Sequence, residues 1–242
     1  MEFKYLGKNY NRPDAINKVT GKAVYLDDVR LPGMLHAAIL RPEYAHAKIL
    51  SIATAEAEKM PGVVKVVTGK GCTFRYGDNI MDQLPMAIDK VRHIGEPVAA
   101  VIADTVAHAE AALAKIKVEY KPLPVYVDAR DAIKPGAELI HKDNGDIWHL
   151  PGLKPKKGTN IASEYRVLKG KGKDGFADAE VVIEGEFLYP FGSCAAIEPH
   201  GSIVWFKEDK TIEAWSSSIC PFIIRDDLAH SYGIPVSDVR VH

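Results

Sequence analysis

Apolar positions along the chain fall into short runs of two different periods, and the two kinds alternate. Met34–Leu40, Lys48–Ile52 and Val63–Thr68 are strand-type segments of aliphatic and β-branched residues, and Ala23–Leu26 reads as a further short strand before them. Asp27-Asp28 and the Pro32-Gly33 turn set that first run apart. Thr54 is placed to cap a short helix over Ala55–Met60, which Pro61-Gly62 ends. Val98–Ala103 is apolar without interruption and predicts a strand covered on both faces. Asp104 follows as an N-cap for an Ala-rich helix over Thr105–Lys115, with Val106, Ala109, Leu113 and Ile116 on one face. Lys117–Tyr120 returns to strand composition and Lys121-Pro122-Leu123-Pro124 closes it. Strand–helix–strand order of this kind predicts an α/β domain over residues 18–128, preceded by a polar N-terminal arm over residues 1–17.

Periodicity then lapses. Residues 129–174 hold Pro135-Gly136, Pro151-Gly152 and a string of lysines from Lys154 to Lys173, which reads as a linker or a segment laid over a partner. The remainder, residues 175–242, resumes with strand composition at Val181, Ile183 and Phe187 and then the tight run Ser193–Gly201. Ser202–Lys207 and Thr211–Trp215 flank Glu208-Asp209-Lys210 as a hairpin. The Ser-rich loop Ser216-Ser217-Ser218 leads through Pro221, at a first helical position, into a helix that carries Phe222, Ile224, Leu228 and Tyr232 on one face. Gly233 and Pro235 end it. Val239–His242 opens like another strand and requires a partner.

Composition narrows the class. The 242 residues carry 31 Lys plus Arg against 32 Asp plus Glu, so charge gives no reason to expect nucleic acid or an anionic membrane as a partner. No apolar run approaches the length of a membrane span, the N-terminus has no signal-like stretch, and three scattered cysteines build no disulfide framework. A soluble, cytoplasmic protein is expected.

Candidate chemistry is sparse. Gly170–Gly175 spells G-x-G-x-x-G, yet no long helix follows to receive a pyrophosphate, so a flexible turn is the better reading. The lysine string holds one aromatic residue, Tyr165, and no series of interleaved aromatic platforms for single-stranded nucleic acid. The histidines and cysteines lack metal-ligand spacing; His46, His93 and His108 read as surface or core-edge residues. Ser216–Ser218 lacks a nucleophile elbow, but a Ser-rich loop entering a helix N-terminus suits an anion or a polar cofactor edge. It serves equally as a loop that caps the helix. Glu198-Pro199-His200-Gly201 sets a carboxylate beside an imidazole, fit either for acid–base work or for tying a turn through backbone N–H groups.

Several of these runs, taken in order, resemble one family. Arg12-Pro13-Asp14-Ala15, Lys18–Ala23, Leu35–Ala38 with Arg41-Pro42, Val91–Ala99, Val118–Tyr120, Ile197–Gly201, Trp215–Ser218 and Asp238–Val241 resemble the N-terminal part of the large subunit of the xanthine dehydrogenase/aldehyde oxidase family of molybdenum hydroxylases. The resemblance implies an α/β (α+β) fold: a hammerhead domain over residues 18–128, followed by an incomplete α+β molybdenum-cofactor-binding domain. It implies hydroxylation of a purine, aldehyde or N-heterocycle with water. The molybdopterin cofactor would be present only in the full assembly, with [2Fe–2S] clusters and FAD on other domains or subunits. It places Ser218 and Ile219 at the cofactor-binding positions, where the family has Thr-Gln and the glutamine hydrogen-bonds the molybdenum centre; isoleucine donates nothing. Ser193-Cys194 stands where the family has Gln-His. The family's Gly-Gly-Phe-Gly loop, substrate-gripping Arg and catalytic Glu have no counterpart here, so no catalytic residue is assigned.

The expectation is therefore a split subunit or truncated piece of a molybdenum hydroxylase, inactive alone. Its partners would be the remaining molybdopterin-binding chain, an iron–sulfur subunit and an FAD subunit, with homodimerisation a further option. The alternative is a non-catalytic binding or assembly module that keeps the fold without the cofactor.

Overall fold

The computed structural model describes residues 3–242 apart from 73, 145, 171–174, 178 and 191. In chain order the strands are β1 (His36–Leu40), β2 (Ala47–Ala53), β3 (Val63–Thr68), β4 (Lys90–Val91), β5 (Ala99–Ala103), β6 (Lys117–Pro122), β7 (Ser202–Phe206), β8 (Ile212–Ser216) and β9 (Val239–Val241). The helices are α1 (Ala15–Val19), α2 (Val106–Leu113), α3 (Ala129–Ala132) and α4 (Pro221–Tyr232). Two compact units result, one of Gly33–Phe191 and one joining Met1–Pro32 to Gly192–His242.

In the larger unit the uninterrupted apolar run becomes β5, the middle strand of the antiparallel sheet β1-β5-β3. Ala99, Val101 and Ala103 are fully buried there, as the run predicts. Helix α2 packs its buried Ala109 and Ala112 on this sheet. Ala99, Val101, Ala112 and Ile116 form one core. A second antiparallel sheet, β4-β2-β6, has its own core of Ala47, Ala87, Val91 and Val98, and Ile52 and Val118 pack against both. Strands β5 and β6 flank α2 in sequence but lie in different sheets, so they do not form a parallel βαβ unit.

Local chemistry shifts some predicted boundaries. Thr105, not Asp104, caps α2: its side chain accepts from the His108 amide, while Asp104 engages the His108 imidazole at 2.6 Å. The helix predicted over Ala55–Met60 shrinks to a single 3-10 turn, Ala57–Lys59. Thr54 spends its hydroxyl on the Glu58 carboxylate at 2.7 Å, and Gly62 turns the chain away at φ +75°. Residues 181–189, expected to begin a strand, lie outside any helix or strand because no ladder partner is present among the described residues.

The smaller unit is built on the sheet β7-β8-β9. The predicted hairpin forms, with Phe206 opposite Ile212 and Ser202 opposite Ser216. The last run finds its partner within the chain: β9 pairs parallel to β8, Ile212 beside Val239. Helix α4 starts at Pro221 and ends at left-handed Gly233, as read from sequence. Its packing face matches the expected one only in part. Ala229 is buried against Ile212 and Val239 with Leu228 beside it, while Phe222 stays 69% exposed. Ala23–Leu26 is not a strand; Leu26–Asp28 is a 3-10 turn closed by the Asp28 carboxylate on the Tyr25 amide at 2.9 Å. No helix is long and apolar enough to cross a membrane among the described residues.

Candidate functional site

A cavity of about 540 Å³ belongs to the smaller unit. Three segments far apart in sequence wall it: Val24–Val29, the turn through Glu198 and His200, and the loop Ser216–Ile219. The first two are fastened together by Glu198, whose Oε1 accepts from the Leu26 amide at 3.1 Å. Close approach reinforces the tie, since a Cβ on Gly201 would stand 2.5 Å from Leu26 Cδ2. Of the two roles open to Glu198, the structure displays the structural one. The carboxylate fixes the strap rather than pairing with His200, which lines the cavity beside it.

The serine loop is likewise tied down. Ser217 Oγ accepts from the Gly201 amide at 3.0 Å, joining the loop to the Glu198 turn. Ser218 Oγ accepts from the Cys220 amide at 3.1 Å, just before α4. Among the described residues no side-chain hydrogen bond caps α4. Ile219 projects beside it, 98% exposed and apolar.

A flat wall completes the site. Trp215 stacks on His242 with ring centroids 5.0 Å apart and planes 13° from parallel. His242 Nε2 meets Glu213 Oε1 at 2.7 Å, and Lys207 pairs with the same carboxylate. Lys207 first, and His242 second, hold the Glu213 carboxyl below the usual carboxylate range. Lys207 also stands 5.2 Å from the centre of the Trp205 ring.

Sequence singles out Glu198, His200, Ser216–Ser218 and Ile219, and the fold brings all of them to this cavity. Sequence does not point to the Val24–Val29 wall, 172 residues from Glu198 at the closest hydrogen bond, nor to the Trp215–His242 stack, which depends on the β8–β9 pairing. The Gly170–Gly175 run and the Lys171 and Lys173 part of the lysine string lie mostly outside the described residues. His46 is buried with Nδ1 2.6 Å from the Pro124 carbonyl, His93 is exposed, and His108 pairs with Asp104. The three cysteines are free, and among the described residues no group of three or more His, Cys, Asp or Glu is placed to hold a metal ion.

Comparison with known proteins bears on both units. Residues 20–124 match the family description "Aldehyde oxidase and xanthine dehydrogenase, a/b hammerhead domain", and residues 153–242 match "Molybdopterin cofactor-binding domain". A probable xanthine dehydrogenase component of Bacillus subtilis (strain 168) is 34% identical over 95% of this chain, which spans 29% of that relative. The nicotinate dehydrogenase large molybdopterin subunit of Eubacterium barkeri is 27% identical over 99% of the chain, here 53% of the relative. Among solved structures, reconstituted CO dehydrogenase from Oligotropha carboxidovorans superposes with a TM-score of 0.82 at 29% identity, over 97% of this chain and 30% of that one. The chain thus spans about a third or less of most of these relatives.

Proposed function

This chain belongs to the xanthine dehydrogenase/aldehyde oxidase family of molybdenum hydroxylases, and from that premise we propose that it supplies the hammerhead domain and one wall of the molybdopterin site to a larger oxidoreductase assembly. The cavity carries this reading: it lies largely in the residues that match the molybdopterin cofactor-binding domain, and its walls suit the organic part of such a group. The Trp215–His242 plane offers a stacking surface, and the uncapped start of α4 beside Ser218 offers positive potential to an anionic edge. Ser218 and Ile219 are the contact positions we assign. Among the described residues no group of three or more His, Cys, Asp or Glu is placed to hold a metal, so this chain's part would be to contact the organic portion of the group.

When bound, the group supplies two-electron redox chemistry at molybdenum. This chain's residues bind and orient. Glu198 keeps the Val24–Leu26 strap against the turn, and Ser217 keeps the serine loop against Gly201. The substrate would be a purine, aldehyde or N-heterocycle hydroxylated with water. A second molybdopterin-binding chain, an iron–sulfur chain and an FAD chain would complete the assembly in the cytoplasm. The test is co-purification from the native source with measurement of molybdenum and released pterin. Near-stoichiometric content of both in the complex, with no turnover by the isolated chain, is the expected result; a pterin-free complex overturns the reading.

One observation favours a second reading. Ile219 puts a fully exposed aliphatic group where the serine loop meets α4, and it has no hydrogen-bond donor to offer a cofactor. A non-catalytic assembly module would tolerate this. Ile219→Gln in the complex separates the two: raised activity favours the enzyme, and absence of molybdenum in both forms favours the module.

A further inference from the structure

A second cavity, of about 250 Å³, lies within the larger unit and is built mainly by the stretch whose sequence reads as a linker. That stretch is folded on itself by two asparagines. Asn160 accepts from the Ile140 amide at 2.8 Å and donates to the Ala132 and Glu138 carbonyls. Asn144, only 7% exposed, turns its Nδ2 toward three carbonyls, those of Lys156, Thr159 and Ile161. Residues 79–83 add Ile80 and Asp82 to the wall. They are held there by the Met81 amide on the Trp148 carbonyl and the Leu150 amide on the Asn79 carbonyl.

The lining has acceptors to spare and few donors. Thr159 Oγ1 donates to the Lys156 carbonyl, and Asn160 Nδ2 is committed to its two carbonyls. Three carbonyls around Nδ2 also fix the Asn144 amide against flipping, so its Oδ1 is an acceptor with no donor among the described residues. His141 Nδ1 is buried and likewise has no partner among the described residues, while its Nε2 faces Asp82 Oδ2 at 3.5 Å. Burial first, then the Arg92 charge, hold the imidazole below its ordinary value, with Arg75 adding to this and Asp82 and Asp143 opposing it. The ring is therefore neutral near pH 7; its proton sits on Nε2 toward the carboxylate, which makes Nδ1 an acceptor. Both arginines are paired elsewhere, Arg75 with Asp143 at 2.7 Å and Arg92 with Asp89 at 3.2 Å. Asp82 brings the lining its one carboxylate among the described residues, and Ile80, Ile140, Ile147 and Ala162 make the rest of the wall apolar. Buried acceptors without donors are costly, and an apolar wall with a few convergent polar groups is the make-up of a small-molecule site. We propose that this cavity binds a small primary ammonium compound with a short aliphatic body. Its N–H groups would go to His141 Nδ1 and Asn144 Oδ1, its charge would be balanced by Asp82, and its alkyl part would lie against the isoleucines. The volume equals that of about eight waters at ~30 Å³ each, which restricts the ligand to a few carbons.

The probe is isobutylammonium, titrated into the full chain labelled with nitrogen-15 and followed at the His141 ring nitrogens by NMR. Isobutanol and isobutyrate serve as the neutral and anionic controls. Saturable binding with a Kd on the order of millimolar is expected for so small a ligand, with the Nδ1 resonance moving more than Nε2. The ammonium should bind ~tenfold more tightly than isobutyrate. Asp82→Asn keeps an oxygen opposite Nε2 and removes the charge; it should weaken the ammonium by ~threefold and leave isobutanol unchanged. Binding should fade as pH falls through the His141 titration, because the protonated ring donates from both nitrogens. No saturation, the result for a cavity that takes water only, overturns the proposal. So does isobutyrate binding as tightly as the ammonium, saturation that leaves the His141 nitrogens unmoved, or equal ammonium affinity in a folded Asp82→Asn variant.

Discussion

Replacing Glu198 separates a tether from a catalytic acid or base. Its carboxylate accepts the Leu26 amide at 3.1 Å across 172 residues of sequence. A hydrogen bond to a charged acceptor contributes about 1.5–3 kcal/mol when shielded from water. Both residues are only half-buried, and solvent screening reduces this to about 1–1.5 kcal/mol. Glu198→Ala should therefore raise the opening equilibrium of the Val24–Val29 strap about 5–12-fold. Native-state hydrogen exchange at the Leu26 amide reads that change directly, with the Ala214 amide in β8 as an unaffected reference. Glu198→Gln keeps an oxygen acceptor in the same place, so it should preserve roughly half of the protection while abolishing any acid–base role. Unchanged exchange at Leu26 in the alanine variant, or a glutamine variant as loose as the alanine one, would refute the tether.

Burial first, then the Arg92 charge with Arg75 behind it, hold the His141 imidazole below its ordinary value against the opposing pull of Asp82 and Asp143. The unfolded chain then takes up a proton that the folded chain refuses. Stability should fall as pH drops below about 6.5 and level off beneath the folded-state pKa; thermal melts between pH 7.5 and 5 test this, and His141→Gln should flatten the slope. A Cβ on Gly69 would meet the Ala87 carbonyl oxygen at 2.5 Å and Met86's at 2.9 Å, both backbone atoms that cannot swing aside. Gly69→Ala should cost on the order of 2 kcal/mol and lower the melting temperature by about 4–8 °C, whereas Gly71→Ala, with open space around it, should not. Val101→Ala removes two methyls from a site with no solvent exposure; urea unfolding should show a loss of about 2–3 kcal/mol.

Where one short window holds both the pattern and its cause, the sequence was sufficient. β3 forms over Val63–Thr68, β5 forms from an apolar run with no polar break, and α4 is bracketed by Pro221 and Gly233, because composition, φ restriction and capping act within a few residues. The family likeness was readable too, since it is spread through motifs in one order from Arg12 to Val241. The tertiary structure alone decided what those elements meet. Leu26 belongs to a run with a strand's composition, but its amide meets Glu198 in a turn, and α4 packs through Leu228 and Ala229 while Phe222 stays exposed. Val239–Val241 became the parallel neighbour of β8, which in turn set His242 flat on Trp215. Residues 181–189 kept a strand's composition and formed no strand: composition is written in the chain, but a ladder needs a second backbone, and its position is a property of the assembled fold.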